Sequence, residues 1–272
     1  MNKSIWSVGF CSWCVGDDLD ALNVLKKELD IKSLHLSLIP VLDKDFQNFP
    51  SLIKDQGFEI TATMVGFPQE DYRTLENIKA TGGIAPDDWW EINKKRVLTG
   101  IKITSELDVK YLSFHFGYIE PGPSEYADKL YDRVRLLADS AADHNVMLLM
   151  ETGQETSEQL CQFIEQLNHP AVGVNFDPGN MILYGKGDPV AGLIKLAPWI
   201  KHVHIKDALP PRFIGDWGTE MPWGQGRVGS DRFLKTLAKL GFTGALAIER
   251  EVGGSKLQDA KAAVESIRTF AL

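Results

Sequence analysis

The chain has 272 residues, 44% of them hydrophobic and 24% charged, and a net charge of -8. That is ordinary globular composition, without the basic footprint of a nucleic-acid-binding protein. No run of about 18 apolar residues predicts a membrane span, and "MNKSIWSVGFCSWC" lacks a long apolar core before a small-residue cleavage site, so a cytoplasmic protein with no membrane or nucleic-acid partner is expected.

Short apolar runs alternate with amphipathic segments along the whole chain. The first strand is expected at 6–12, "WSVGFCS", and it leads into a C-x-x-C pair, Cys11 and Cys14. Only one further cysteine exists, Cys161, so neither a disulfide framework nor a four-cysteine zinc site can be built. Further strands are expected at 33–38, 59–65, 110–117, 146–153, 172–179, 200–207 and 244–251. Helical patterns such as "DALNVLKKEL" and "DRFLKTLAKL" lie between them, and "TSEQ" at 156–159 reads as a capping box.

Eight strands separated by helices at this length is the count of a (β/α)8 TIM barrel, and eight regular units fit closure better than an open doubly wound sheet. No Pro/Ser-rich linker or charge block interrupts the pattern, so residues 1–272 are read as one domain. Two connections are long, 66–98 and 208–229, and both carry tryptophans. Long connections inside a compact domain are usually functional or disordered, and the tryptophans favour order.

Strand alternation then sorts the side chains. In "VNFDPGN", Val174 and Phe176 face the helices, which turns Asn175 and Asp177 inward. The same rule turns Glu151 inward in "VMLLMETG", His204 in "KHVHIKDA" and Glu249 in "GALAIERE". Each of these four lies at or near the C-terminal end of its strand, where barrel enzymes keep their active sites. Three carboxylates converging in a low dielectric repel one another, and one divalent metal ion would relieve that cost. The mixed O/N set suits Mn or Mg and permits Co or Zn. His202 lies a layer deeper and reads as a core histidine supporting the site.

These motifs, "METG", "NFDPGN", "HVHIKD", "GQGRV" before a helix and "LAIERE", resemble those of the xylose-isomerase-like barrel superfamily. The group includes sugar phosphate isomerases/epimerases, ketose 3-epimerases, inosose dehydratases and endonuclease IV. The resemblance implies metal ligation by Glu151, Asp177, His204 and Glu249, with Glu151 and Glu249 as the acid–base pair. In the epimerase branch one glutamate removes a proton beside a carbonyl and the other returns it, through a metal-stabilised enediolate. It further implies a small sugar or polyol-derived substrate and is compatible with a homo-oligomer. The same site would also serve a lyase or dehydratase acting on a keto-sugar, keto-inositol or oxidised glycoside. A non-catalytic sugar-binding or scaffold barrel is the alternative of another class. An endonuclease is disfavoured: several relatives carry a histidine three residues after the aspartate, where this chain has Asn180.

Substrate-contact candidates are His115, Asn180, Lys206, Arg212 and Trp13. For His115 a buried structural role competes, for Lys206 and Arg212 plain surface charge, and for Trp13 aromatic packing under a loop. "GQGRVG" at 224–229 precedes a helix after the seventh strand, where barrels often bind phosphate. A simple turn explains it better, and an unphosphorylated substrate is expected.

Overall fold

The computed structural model describes residues 5–120 and 122–270; positions 1–4, 121 and 271–272 of the expected domain lie outside the described residues. Eight parallel strands close into a barrel: β1 (Ser7–Cys11), β2 (Ser33–Ser37), β3 (Glu59–Met64), β4 (Tyr111–Phe114), β5 (Met147–Glu151), β6 (Val172–Phe176), β7 (Ile200–Ile205) and, last in the chain, β10 (Ala245–Ile248). Neighbours in sequence are neighbours in space, and β1 pairs with β10 to complete the ring. This is the (β/α)8 fold that the alternating pattern predicts.

The core that holds the ring lies between strands and helices. Phe10, Leu34, Phe114, Leu148, Val174, Phe176, Val203 and Leu246 are essentially inaccessible to water. All belong to the buried apolar core, and full burial of such a side chain contributes about 1.5–3 kcal/mol. The helices start where side chains satisfy their free N–H groups. Asp18, Thr74, Ser124 and Asp188 cap the helices Leu19–Leu29, Leu75–Thr81, Glu125–Asp143 and Pro189–Leu196. Thr156 and Gln159 form the reciprocal capping box at the start of the helix Ser157–Leu167.

The barrel interior holds a polar cluster. Ser33, His35, Asn175, His202 and His204 are all buried there or at its upper rim. Register shifts occur between Leu34 and His35 on β2 and between Val174 and Asn175 on β6. Such irregularities re-aim side chains next to functional sites.

Both long connections are ordered. Residues 66–98 form the helix Leu75–Thr81, a short 3-10 turn and the start of the helix Trp90–Glu106. Residues 208–229 are less irregular than a plain loop, because β8 (Asp207–Leu209) and β9 (Thr219–Met221) pair as an antiparallel ribbon. The sixth strand stops at Phe176, short of the expected 179. Asp177 there becomes the N-cap of the helix Pro178–Leu183, with Pro178 in the first turn, where a missing N–H costs nothing. Among the described residues no helix is long and apolar enough to cross a membrane.

Candidate active site

Glu151 ends β5, Asp177 follows β6, His204 is the penultimate residue of β7 and Glu249 follows β10. The structure brings one ligand-capable atom of each within 4.8 Å of the others. His204 Nδ1 lies 3.0 Å from Glu249 Oε2, 3.5 Å from Asp177 Oδ2 and 3.6 Å from Glu151 Oε1. All four side chains are buried.

Local chemistry locks each group. Asp177 Oδ1 accepts the N–H of Asn180, 2.9 Å away, as the helix cap. That commits one oxygen and leaves Oδ2 facing the cluster. The Thr152 hydroxyl donates to the Asp177 carbonyl and accepts the Asp177 N–H, both at 2.8 Å. The threonine of "METG" thereby ties the end of β5 to the end of β6. Asn180 Nδ2 donates to Glu151 Oε1 at 3.1 Å. Trp13 Nε1 donates to Glu249 Oε1 at 2.8 Å, and Lys206 Nζ lies 3.2 Å from Glu249 Oε2 and 2.9 Å from Glu251 Oε1. Gly179 permits this crowding: a Cβ there would come within 2.9 Å of the Lys206 carbonyl carbon.

Two buried polar atoms of the cluster have no hydrogen-bond partner among the described residues, Asp177 Oδ2 and His204 Nδ1, and they face each other. Glu249 Oε2 is close enough to His204 for an ion pair but out of line for a hydrogen bond. Oxygens fanned around a bare imidazole nitrogen at a buried point are the donor set of a divalent cation. The residues present therefore fit a metal ion.

Electrostatics agree. Burial pushes the Asp177 carboxyl up to about 7, against the pull of Lys206. Burial also acts on Glu249, but the Lys206 ammonium and His204 outweigh it and hold that carboxyl well below its usual range. Burial opposes ionisation of Glu151 too, yet His204 and His115 outweigh it and lower the pKa. Burial would drive the His204 pKa down, yet Cys11, Glu249 and Glu151 together hold it well above the ordinary imidazole value. Metal ligation needs these groups deprotonated, so binding an ion here would release protons.

Above the cluster opens a cavity of about 810 Å³. Trp13, His115, Asn180 and Lys206 line it. His115 Nε2 is 3.9 Å from Glu151 Oε1. Trp13 is therefore both a wall of the cavity and a hydrogen-bond donor to Glu249. Arg212 is exposed in the β8–β9 connection and is not among the cavity-lining residues. That loop sends Trp217 to the cavity instead, with its ring 4.7 Å from Tyr184. The three cysteines are free and buried, and burial raises the Cys11 thiol to about 12.

The glycine-rich segment 224–229 has an internal occupant. Asp207 accepts the N–H groups of Gly224, Gly226 and Val228 at 3.0, 3.1 and 3.0 Å. Amides that could cradle a phosphate thus hold the chain's own carboxylate. A Cβ on Gly226 would fall 2.1 Å from Asp207 Oδ1 and 2.5 Å from the Ala208 carbonyl oxygen. Gly226→Ala is expected to destabilise the fold by about 1–3 kcal/mol, the usual cost of overpacking. Thermal denaturation measures it, and an unchanged melting temperature would refute the account.

Sequence reasoning passed over His35, Thr152 and Asp207. The signal for His35 was available: in "SLHLS" it alternates with Leu34 and Leu36 and so faces inward. His35 is fully buried, with Nδ1 3.0 Å from His204 Nε2. His202 sits one layer down, bonded to Asn175 and Thr61.

Residues 27–271 match the family model of the xylose isomerase-like TIM barrel. The chain belongs to that family. A xylose isomerase domain protein from Planctomyces limnophilus has a crystal structure that superposes with a TM-score of 0.86 at 29% identity, over 97% of this chain and 95% of that one. Two curated relatives match over shorter stretches. A 3-dehydroshikimate dehydratase of Bacillus anthracis is 24% identical over 57% of this chain and 52% of its own length. An inosose dehydratase of Clostridium beijerinckii is 30% identical over 40% of this chain and 36% of its own. The chain thus spans about half or less of the curated relatives it matches.

Proposed function

We propose that this xylose isomerase-like barrel is a divalent-metal-dependent isomerase or epimerase of a small, neutral keto-sugar or sugar derivative. The observation that carries the reading is the pair of carboxylates, Glu151 and Glu249, fixed on one Asp/His cluster at the floor of the cavity. Glu151, Asp177, His204 and Glu249 would hold the ion, which supplies Lewis-acid polarisation of substrate oxygens. The acid–base work falls to the chain. One glutamate takes a proton from a carbon beside a carbonyl and the other returns it. Trp13 and Lys206 keep Glu249 fixed and ionised; Asn180 fixes Glu151, which His204 and His115 hold ionised. Asn180, His115 and Lys206 line the cavity and would meet sugar hydroxyls there.

Charge argues for a neutral substrate. Among the described residues, the only Lys and Arg side chains lining the cavity are Lys206 and Arg96. Lys206 is held by Glu249 and Glu251, and Arg96 by Asp43 and the Gly66 carbonyl. A phosphate would find no free cation among them. An unphosphorylated ketose is therefore expected to exceed its phosphate ester by about 10²-fold or more in kcat/KM, since an unpaired buried charge is costly. Steady-state kinetics on matched pairs checks this, and preference for the ester would overturn the neutral-substrate reading.

A second reading, a lyase on the same site, is supported by the two curated relatives, both dehydratases. Proton abstraction is common to both reactions. Loss of water or an aglycone, followed by product analysis, separates them.

A further inference from the structure

We infer that His35 is a positioning residue that fixes the ring orientation and tautomer of His204, so that Nδ1 presents its lone pair to the ion. The inference rests on the metal site proposed above. Its ground is a chain of hydrogen bonds that starts at a group whose role is not adjustable. His35 Nε2 lies 3.2 Å from the Thr63 carbonyl oxygen and 3.1 Å from Ser113 Oγ. A carbonyl only accepts, so Nε2 carries the His35 hydrogen. His35 is fully buried and makes no ion pair among the described residues, so the ring is held neutral and its Nδ1 is a bare acceptor.

The group facing that acceptor at 3.0 Å is His204 Nε2, which must then be the donor. With the hydrogen on Nε2, a neutral His204 has its free lone pair on Nδ1. That is the nitrogen turned toward Glu151, Asp177 and Glu249. The Asn175 amide lies 3.0 Å from His204 Nε2 and 3.0 Å from His202 Nδ1. Its ends interchange by rotation about one bond. With its oxygen toward His204 and its nitrogen toward His202, the network closes, at the loss of a 3.4 Å contact to Glu151. His202 then donates from Nε2 to Thr61 Oγ1, 3.1 Å away, and that hydroxyl donates to the Leu34 carbonyl at 3.2 Å. Every donor along this path has an acceptor, ending on two main-chain carbonyls that no rotation can invert. Partners of ligating histidines commonly fix tautomer and ring angle in this way.

The test has a metal-free arm and a metal-binding arm. In histidine-15N-labelled wild-type protein without metal, NMR should show His35 protonated on Nε2 only. It should also show a coupling across the hydrogen bond from His204 Nε2–H to His35 Nδ1. A His35 ring protonated on Nδ1 would overturn the inference. In the second arm, Co2+ affinity is read from the visible ligand-field spectrum. His35→Leu removes the acceptor and should weaken Co2+ about 10-fold or more, whereas His35→Asn keeps an acceptor near Nδ1 and should stay within about threefold of wild type. Wild-type affinity in the folded His35→Leu protein, or equal losses in both variants, would also overturn it. Failure of the wild type to bind Co2+ would remove the metal site and the role given to His35 with it, while the couplings still report on the bond itself.

Discussion

Protein purified without chelator is expected to carry one divalent ion per chain, and Asp177→Ala to bind it about 100-fold more weakly or not at all. The expectation follows from the two jobs of Asp177. Oδ1 caps the helix Pro178–Leu183 by accepting the Asn180 N–H, and Oδ2 is buried, unpartnered and aimed at His204 Nδ1. Alanine removes both, and loss of a cap alone costs about 1 kcal/mol. Asp177→Asn separates them, because it keeps a cap oxygen and deletes the charge. Elemental analysis and titration with Mn2+ or Co2+ should therefore show both variants deficient in metal, with Asp177→Asn the better folded. Near-stoichiometric metal in Asp177→Asn, or metal that follows Cys11 and Cys14 instead, would sink the assignment.

The same aspartate sets a pH signature in the metal-free protein. Its folded pKa, about 7, lies above its ordinary value of 3.8. The ionised form is thus disfavoured by folding. The stability that protonated Asp177 contributes is fully present below the ordinary carboxylate range and is lost as pH rises through about 7. A bound cation reverses the sign, because it favours the ionised carboxylate and stabilises the folded state by mass action.

How much of this was legible in the sequence depends on the reach of the signal. Strand alternation has a period of two and acts over a few residues, so the inward set Glu151, Asp177, His204 and Glu249 could be read from four short runs. The ring closed by β1 and β10 followed from the strand count. The ribbon β8–β9 was not legible, because its short strands carry only three residues each and pair across a loop. Nor was the role of "KD" and "GQGRVG", since the bonds from Gly224, Gly226 and Val228 to Asp207 join positions 17 to 21 residues apart. Arg212 illustrates the converse. Its spacing from His204 suggested the cavity, but the β8–β9 connection carries it to the surface. His35 was missed for another reason: alternation placed it inward, but only a three-dimensional register shows which histidine it meets.

The chemistry itself predicts a solvent-derived hydrogen at one substrate carbon. If Glu151 and Glu249 flank the carbon beside the carbonyl, the proton removed resides for a time on a carboxylate and exchanges with water. Turnover of the true substrate, or of a slow ketose analogue, in D2O should place deuterium at that single carbon, read by mass spectrometry and NMR. Glu151→Gln and Glu249→Gln keep the side-chain shape and one acceptor oxygen but abolish the base. Each should lower kcat by about 10²-fold or more, within the range of one general acid–base residue. The two variants should differ in metal content, because their surroundings differ. Glu249 Oε2 faces both Lys206 and His204, whereas Glu151 Oε1 accepts from Asn180. In Glu249→Gln, an amide nitrogen turned toward Lys206 would meet a donor with a donor, so this variant should lose more metal than Glu151→Gln. Metal reconstitution at saturating Mn2+ separates that loss from the loss of the base: a folded, metal-loaded Glu151→Gln protein should remain slow. Near-normal turnover in both variants would rule out the acid–base pair. Turnover of the unaltered enzyme with no deuterium uptake would point to hydride transfer or a shielded proton. Uptake accompanied by loss of water or an aglycone would assign the lyase reaction to the same two glutamates.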